Sequence, residues 1–408
     1  MKPVLTSAEM AAVDEEARGR VGLETLVARA GFAVARTAVA SMGGTYGRRV
    51  VVVAGKGHNG DDGRVAAAVL AVDVPSGLVA DTGRATPGAV RADVTVTFGA
   101  LKPGLILGRG PELAGAVIVE PIGLEVGTPA QHLVEDGDLA WLPPRDPQGN
   151  KWDSAVYVVA GSPGMFGAAS LAASGAIRAG AGMVRLGSPG VAPGTIGVVE
   201  AVARALPRSD WAGGVLDELV RCEALVVGPG LGRGPDATEG ILDLVRRAEV
   251  PVVIDADGLA ALSTVAAASA ILRHRRQATI VTPHDGEYAR LVGSEPGDDR
   301  LAAARELAAG LGAFVVLKGP ATVVAAPGGE ALLVGSGSSR LSTAGTGDVL
   351  SGVIGAFLAR GLDPLRAAGL AAHVHGRAAS IGFAEGLEAS DLPVLVASLL
   401  SAAQAVER

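Results

Sequence analysis

The stretch Leu341-Ser342-Thr343-Ala344-Gly345-Thr346-Gly347-Asp348 runs directly into the apolar segment Val349-Leu350-Ser351-Gly352-Val353-Ile354-Gly355-Ala356-Phe357-Leu358. Val349, Leu350, Val353, Ile354, Phe357 and Leu358 recur at helical spacing, which predicts a buried helix with Asp348 in its first turn. The glycines ahead of it let backbone N–H groups converge on an anion at the positive end of that helix. A carboxylate beside such a cradle is placed to take a proton from a hydroxyl that is being phosphorylated. A second reading stays open at this point: Asp is a favoured capping residue, and Asp348 could simply begin a helix after a flexible loop.

Outward from this stretch, apolar runs at 155–160, 225–227, 252–254, 279–281, 314–317 and 322–325 read as strands. Helical patterns at 167–181, 212–221, 237–248, 258–265, 285–292, 299–311 and 348–360 lie between or after them. Strands interleaved with helices predict an α/β domain with a largely parallel sheet covered on both faces. Several loops fall at carboxyl ends of these strands, where open α/β sheets bind ligands. They are 161–169, Gly228-Pro229-Gly230-Leu231-Gly232, Asp255-Ala256-Asp257-Gly258, Thr282-Pro283-His284-Asp285-Gly286-Glu287 and Lys318-Gly319-Pro320-Ala321-Thr322. One glycine loop is weak evidence, because Gly commonly marks turns. Their shared position, with the Asp348 loop as a further member, is what points to a site. No Gly-x-x-x-x-Gly-Lys-Ser/Thr sequence occurs, which excludes a P-loop. His284 follows Thr-Pro at a strand end and precedes Glu287, which favours ligand contact over a satisfied loop histidine. Lys318 ends an apolar strand, where its desolvation calls for a phosphate or nucleotide partner.

Composition narrows the classes. With 408 residues the chain is long enough for two domains, and 49% hydrophobic against 19% charged residues excludes general disorder. A net charge of −7 argues against a nucleic-acid or anionic-membrane surface, so acidic nucleotides would be held by loops and helix ends. Cys222 is the only cysteine, which rules out an intramolecular disulfide and a cysteine metal cluster. The first residues lack a signal-peptide core and no run of 18 apolar residues occurs, so a soluble cytoplasmic protein is expected, without a membrane partner. The five lysines against thirty arginines fit a GC-rich bacterial genome.

The N-terminal part reads differently. Residues 8–42 have helical periodicity, 49–54 is β-rich, 55–63 is a loop entering a helix at 64–70, and strands are expected at 70–74, 94–98 and 117–120. The segment 125–150 is turn-rich and reads as a linker. The domains expected are therefore 1–135 and 145–408. Gly55-Lys56-Gly57-His58-Asn59-Gly60 imitates a Rossmann fingerprint with Asp73 beyond it, but Pro75-Ser76-Gly77 follows at once and too few strand–helix units remain for a dinucleotide fold.

In order and in sequence, Gly-Pro-Gly-Leu-Gly, Asp-Ala-Asp-Gly-Leu, Thr-Pro-His-x-x-Glu, Lys-Gly-x-x-Thr and Ala-Gly-Thr-Gly-Asp-Val-Leu make residues 145–408 resemble the ADP/ATP-dependent NAD(P)H-hydrate dehydratase family. The resemblance implies a ribokinase-like three-layer fold. It also implies that Ala169, Gly232, His284 and Asp348 contact the hydrated nicotinamide nucleotide, with Asp348 as catalytic base. The adenine nucleotide would be held by Lys318, Gly319, Pro320, Ala321 and Thr322, and by Ser338, Ser339, Arg340, Leu341, Ser342, Thr343, Ala344, Gly345, Thr346 and Gly347.

The first 124 residues resemble NAD(P)H-hydrate epimerase through Gly55-Lys56-Gly57-His58-Asn59-Gly60-Asp61-Asp62-Gly63, Val72-Asp73-Val74-Pro75-Ser76-Gly77 and Thr97-Phe98-Gly99-Ala100-Leu101-Lys102-Pro103-Gly104. This implies a Rossmann-like α/β domain, with Asn59 and Asp73 at the substrate and Asn59 and Ser76 at a potassium ion. The family loop usually reads Gly-x-Gly-Asn-Asn-Gly-Gly-Asp-Gly, so His58 and Asp61 depart from it. Only nine residues, Arg64 to Val72, separate Gly63 from Asp73. At about 30 residues per βαβ unit, roughly two units are absent. A shortened domain with weak or lost epimerase activity is therefore expected.

The whole chain is thus similar to the bifunctional nicotinamide nucleotide repair enzymes. The resemblance implies a lyase that dehydrates the S epimer of NAD(P)H-hydrate to NAD(P)H, using ADP (or ATP) as phosphoryl donor with magnesium, and potassium for any epimerase site. AMP and phosphate would be released, and a homo-oligomer is expected. Two other readings remain at this point: a ribokinase-like small-molecule kinase without the elimination step, and an N-terminal half that serves only for binding or assembly.

Overall fold

The computed structural model describes residues 1–43 and 69–406. They form two compact units, Met1–Leu133 with Asp298–Leu301, and Val134–Gly297 with Ala302–Arg408.

The first unit contains β1 (Lys2–Val4), α1 (Ser7–Val21), α2 (Leu23–Met42), β2 (Leu70–Val72), β3 (Val94–Phe98), α3 (Gly110–Leu113), β4 (Ala116–Glu120) and β5 (Gln131–Leu133). β3 lies between β2 and β4, parallel to both, while β1 and β5 pair antiparallel. α1 starts at a capping box: the Thr6 hydroxyl accepts from Glu9 N, and the Glu9 carboxylate accepts from Thr6 N at 2.7 Å. Leu5, Met10, Ala17, Leu26, Ala100 and Leu124 form a small core. Sequence reading extends β2 to residue 74, but the strand stops at Val72 because Asp73 turns into the left-handed region at φ 65° ahead of Pro75-Ser76-Gly77. The strand expected at 49–54 and the loop at 55–63, with Asn59, lie outside the described residues.

The second unit continues with β6 (Ala155–Val159), α4 (Phe166–Arg178), β7 (Met183–Pro189), β8 (Val202–Leu206), α5 (Ala212–Leu219), β9 (Ala224–Val227), α6 (Pro235–Arg247) and β10 (Val252–Ile254). Then come α7 (Asp257–Leu262), α8 (Val265–Leu272), β11 (Thr279–Val281), α9 (Asp285–Val292), α10 (Arg300–Leu311), β12 (Phe314–Leu317), β13 (Thr322–Ala325) and β14 (Ala331–Val334). The chain closes with α11 (Thr346–Ala359), α12 (Pro364–Ile381) and α13 (Leu392–Val406). The sheet runs β14-β13-β12-β11-β10-β9-β6-β7-β8. From β12 to β8 it is parallel, whereas β13 and β14 fold back antiparallel. Every residue of β6, β9 and β10 is fully buried, so both faces of the sheet are covered there. Such strands read as continuous apolar runs rather than as an alternation.

α11 is buried along nearly its whole length and crosses α4 at very short range. A Cβ on Gly352 would lie 2.0 Å from Ala172 O, and one on Gly175 would lie 2.5 Å from Val349 O. These two glycines let the helix backbones touch, which fixes the N-terminus of α11 relative to the loop that precedes α4. Among the described residues, no helix is long and apolar enough to cross a membrane.

Candidate functional site

The loop entering α11 is held from several sides. Gly345 is its N-cap with φ 91°, a conformation that demands glycine, and a Cβ there would also displace the Leu171 side chain, whose Cδ1 would lie 2.5 Å away. The Thr346 hydroxyl donates back toward Leu341 O at 2.9 Å and Thr343 O at 3.1 Å. Arg340 Nη1 donates to Ala379 O, Ser380 O and Gly382 O at 3.2, 3.0 and 3.3 Å, satisfying carbonyls at the end of α12. The stretches 318–322 and 336–338 adjoin, since a Cβ on Gly337 would lie 2.5 Å from Pro320 O. Ser338 Oγ is buried there and has no hydrogen-bond partner among the described residues. An unsatisfied hydroxyl beside a helix N-terminus suits a phosphate-bearing ligand.

Facing this loop are the ends of β10, β11 and β12. Asp255, only 1% exposed, follows β10. Its Oδ1 accepts from Thr282 Oγ1 at 2.7 Å and from Lys318 Nζ at 3.0 Å. Lys318 Nζ also lies 3.7 Å from Glu287 Oε2. Burial opposes the lysine charge, but Asp255 and then Glu287 more than offset it and hold the ammonium above the ordinary lysine value. An ideal Cβ on Gly347 would lie 3.5 Å from Lys318 Nζ and 3.9 Å from Asp255 Oδ2, so the first turn of α11 meets this ion pair. Asp348 lies in that turn. Burial first, then the negative charge of Asp255, push its carboxyl up to about 7, with Lys318 pulling the other way.

His284 is the N-cap of α9. Its Nδ1 accepts from Gly286 N at 3.0 Å and Glu287 N at 3.4 Å, while the Glu287 carboxylate accepts from His284 N at 2.9 Å. The imidazole is therefore committed on one edge, and its exposed side faces outward. Gly232 N donates to Asp257 Oδ2 at 2.9 Å, and a Cβ on Gly232 would stand 3.7 Å from Met165 Cε. Gly161 N donates to Pro229 O at 2.7 Å and Ser162 Oγ to Gly230 O at 2.9 Å, joining the loops after β6 and β9. Ala169 is fully buried behind that junction, where an ideal Cβ on Gly161 would be 2.9 Å from its own.

The structure thus brings Asp348, Gly347, Lys318, Asp255 and Glu287 into one cluster, with His284 attached through Glu287. Sequence reading assigned no part to Asp255, although its Asp-Ala-Asp-Gly loop gave the signal. Among the described residues, no group of three or more His, Cys, Asp and Glu side chains is arranged to hold a metal ion. Magnesium carried on nucleotide phosphates needs only one or two carboxylates, and Glu287 and Asp255 are the acidic groups nearest the lysine.

In the first unit, Lys102 is 4% exposed, and its Nζ lies 2.6 Å from Asp73 Oδ1. It donates to Thr97 Oγ1 and Phe98 O, each at 2.9 Å, and the Thr97 hydroxyl donates to Asp73 Oδ1 at 2.9 Å. The carboxylate expected at the substrate is thus oriented by a buried ammonium that sequence reading left without a role. Ser76 is exposed in the following turn.

Comparison with known proteins agrees with this geometry. A ribokinase-like superfamily protein of Enterococcus faecalis superposes with a TM-score of 0.59 at 20% identity, covering 67% of this chain and 96% of that one, which shows the ribokinase-like fold. Residues 156–400 match the NAD(P)H-hydrate dehydratase family model, and the chain belongs to that family. Residues 66–104 match the model of the YjeF-related protein N-terminus. The ADP/ATP-dependent NAD(P)H-hydrate dehydratase of Bacillus subtilis, co-crystallised with ATP and Mg2+, is 30% identical with a TM-score of 0.58, covering 66% of this chain and 98% of that one. The bifunctional NAD(P)H-hydrate repair enzyme Nnr of Salinibacter ruber is 41% identical over 340 residues, 78% of this chain and 62% of the relative. That of Escherichia coli is 37% identical over 342 residues, 80% of this chain and 64% of the relative. The chain therefore spans less than two thirds of the length of these curated relatives. The fold and family expected from the sequence are both borne out.

Proposed function

We propose that this chain dehydrates the S epimer of NAD(P)H-hydrate at the expense of ADP or ATP. The observation that carries the reading is the position of Asp348, raised toward neutrality in the first turn of α11 beside the Lys318–Asp255 pair. Hydroxide is a poor leaving group, so the hydrate hydroxyl is first phosphorylated. Asp348 accepts its proton as the phosphoryl group passes to that oxygen, releasing AMP from ADP. The Gly345 and Gly347 N–H groups stabilise the charge developing on the transferring group. The ring-nitrogen lone pair then expels phosphate, and loss of a proton from the neighbouring ring carbon restores the dihydronicotinamide. Magnesium supplies charge neutralisation on the nucleotide phosphates.

In this reading Ala169, Gly232 and His284 border the hydrate, and the stretches 318–322 and 338–347 border the nucleotide. Residues 145–408 are the dehydratase domain and 1–135 an epimerase-type domain of weak or lost activity; the chain works as a homo-oligomer. ADP is the favoured donor. The test is to incubate the purified chain with hydrated NADH, magnesium and ADP or ATP while following the reduced nicotinamide absorbance. Its return supports the reading. A stable phosphorylated product without recovered NADH would instead mark a small-molecule kinase.

A further inference from the structure

Arg233 follows Gly232 in the loop after β9. Its Nε donates to Asp257 Oδ1 at 2.9 Å, while the other oxygen of that carboxylate accepts from Gly232 N at 2.9 Å. Neither Nη atom of Arg233 has an acceptor among the described residues, and more than half of the side chain is open to solvent. Resting on the function given above, we propose that Arg233 is a substrate-binding residue that grips the pyrophosphate of the hydrated dinucleotide, at the phosphate on the nicotinamide side.

The guanidinium is planar, so with Nε held by Asp257 its Nη1–Nη2 edge remains as a two-pronged donor of the kind that matches phosphate oxygens. Asp257 is mostly buried and binds Gly232 as well, which ties that edge to the loop bordering the hydrate. The loops after β9 and β10 are in backbone contact, since a Cβ on Gly228 would lie 1.9 Å from Asp255 O. Arg233 thus stands beside the acid–lysine cluster but outside it. A nicotinamide ring bound at Asp348 and Gly232 carries its first phosphate one ribose away, whereas the 2′-phosphate of NADPH-hydrate lies on the far adenosine. The phosphoryl donor is a poorer match: in the strand order β12-β11-β10-β9 the β9 loop is three strand spacings, about 14 Å, from the strand that ends at Lys318. Charge argues the same way. Asp255, Asp257, Glu287 and Asp348 gather at this end of the sheet, and Lys318 is already engaged by Asp255 and Glu287. A polyanionic substrate approaching such a surface calls for a cation whose donors are not taken.

Side chain and ligand can be shortened independently. Arg233→Ala leaves Asp257 to hold Gly232 N, so the melting temperature should match that of the native chain; should it fall, Arg233→Gln, which can still donate to Asp257, takes its place with the same expectations. The KM for NADH-hydrate and for NADPH-hydrate should rise about ten-fold alike, with kcat and the KM for ADP changed less than about two-fold. With the hydrate of dihydronicotinamide riboside, which has no phosphate, variant and native chain should share one KM. A loss that persists on the riboside would overturn the proposal, because Arg233 would then only shape its loop. So would a loss confined to NADPH-hydrate, a loss seen in the KM for ADP, or unchanged KM values. Fluorescence titration with NADH alone needs no turnover: the Kd should rise about ten-fold in the variant, and in the native chain it should climb more steeply with ionic strength. An equal Kd in both chains would overturn the assignment. Were the native chain inactive on the hydrate with either nucleotide, the functional reading would fail, while the NADH titration would still decide the role of Arg233.

Discussion

Lys318 donates to Asp255 Oδ1 at 3.0 Å, joining the end of β12 to the end of β10 under the first turn of α11. Asp255 is almost fully buried, so the pair cannot be halved without leaving a charge unmatched. Lys318→Met should lower stability by about 3 kcal/mol, in the range for breaking a buried ion pair from one side. Adding Asp255→Asn removes the stranded charge and should recover part of that loss in denaturant titrations, while turnover stays low. A double variant no more stable than Lys318→Met would show that the pair is not energetically coupled.

Asp348 carries the pH dependence. A base with its carboxyl near 7 is mostly protonated at pH 6, so kcat/KM should rise about ten-fold per unit below 7 and level off above it. Asp348→Asn should lose on the order of 10²–10⁴ in turnover while still binding nucleotide. A pH profile that is flat from 5.5 to 8 would remove Asp348 from the role of base.

The same carboxylate is a burden on the fold. Its folded value lies above its unfolded one, so the folded state binds more protons, and stability falls as pH rises from the ordinary carboxylate value of 3.8 through about 7. Asp348→Asn should therefore melt higher than the native chain at pH 8, with the gain shrinking toward pH 4. An equal difference in melting temperature at both pH values would contradict the burial argument.

Much of this was legible in the sequence because loops at strand ends keep their chemistry in contiguous residues. The Gly-Thr-Gly-Asp turn, Lys318 after its apolar strand and the central parallel strands could all be read that way. What escaped has physical causes. β7 carries Arg185, Gly187 and Ser188 inside the sheet, which breaks the apolar run; Arg185 is accommodated there by an ion pair with Glu218. β8 is short and interrupted by Arg204, and β14 belongs to an antiparallel return that a strand–helix alternation does not foresee. α12 is rich in Ala and Gly, so its period is faint. Lys102 stood in a quoted motif, but its bond to Asp73 depends on how β3 and the turn after β2 lie together.

His284 offers a separation of cap from ligand. Its ring accepts from the first turn of α9, so His284→Ala should lower stability by about 1 kcal/mol. His284→Asn should restore the stability, because Asn is a good N-cap, but not the affinity for hydrate. The comparison is made by thermal melts alongside hydrate titrations. If Asn restores both, the histidine serves only to start the helix.

The last prediction concerns the epimerase-type unit. Between the glycine-rich loop and Asp73 the chain has only Arg64 to Val72, where the family resemblance calls for further strand–helix units. The stretch not present would carry an acidic potassium ligand and a phosphate-binding loop. The match to the YjeF-related N-terminus is correspondingly confined to residues 66–104. What remains in the sequence is Asn59, which lies outside the described residues, Asp73, at φ 65° and held by Lys102 and Thr97, and an exposed Ser76. Among the described residues, Asp73 and Ser76 offer an anchor for a substrate and no counterpart of the expected acidic ligand or phosphate loop. A racemic hydrate mixture, with spontaneous epimerisation slowed by mild pH and low temperature, should therefore show fast ADP-dependent repair of the S fraction and slow loss of the R fraction. Adding potassium should leave the slow phase unchanged. Rapid, potassium-stimulated consumption of the R fraction would sink this expectation and mean that the shortened unit assembles its site from other residues.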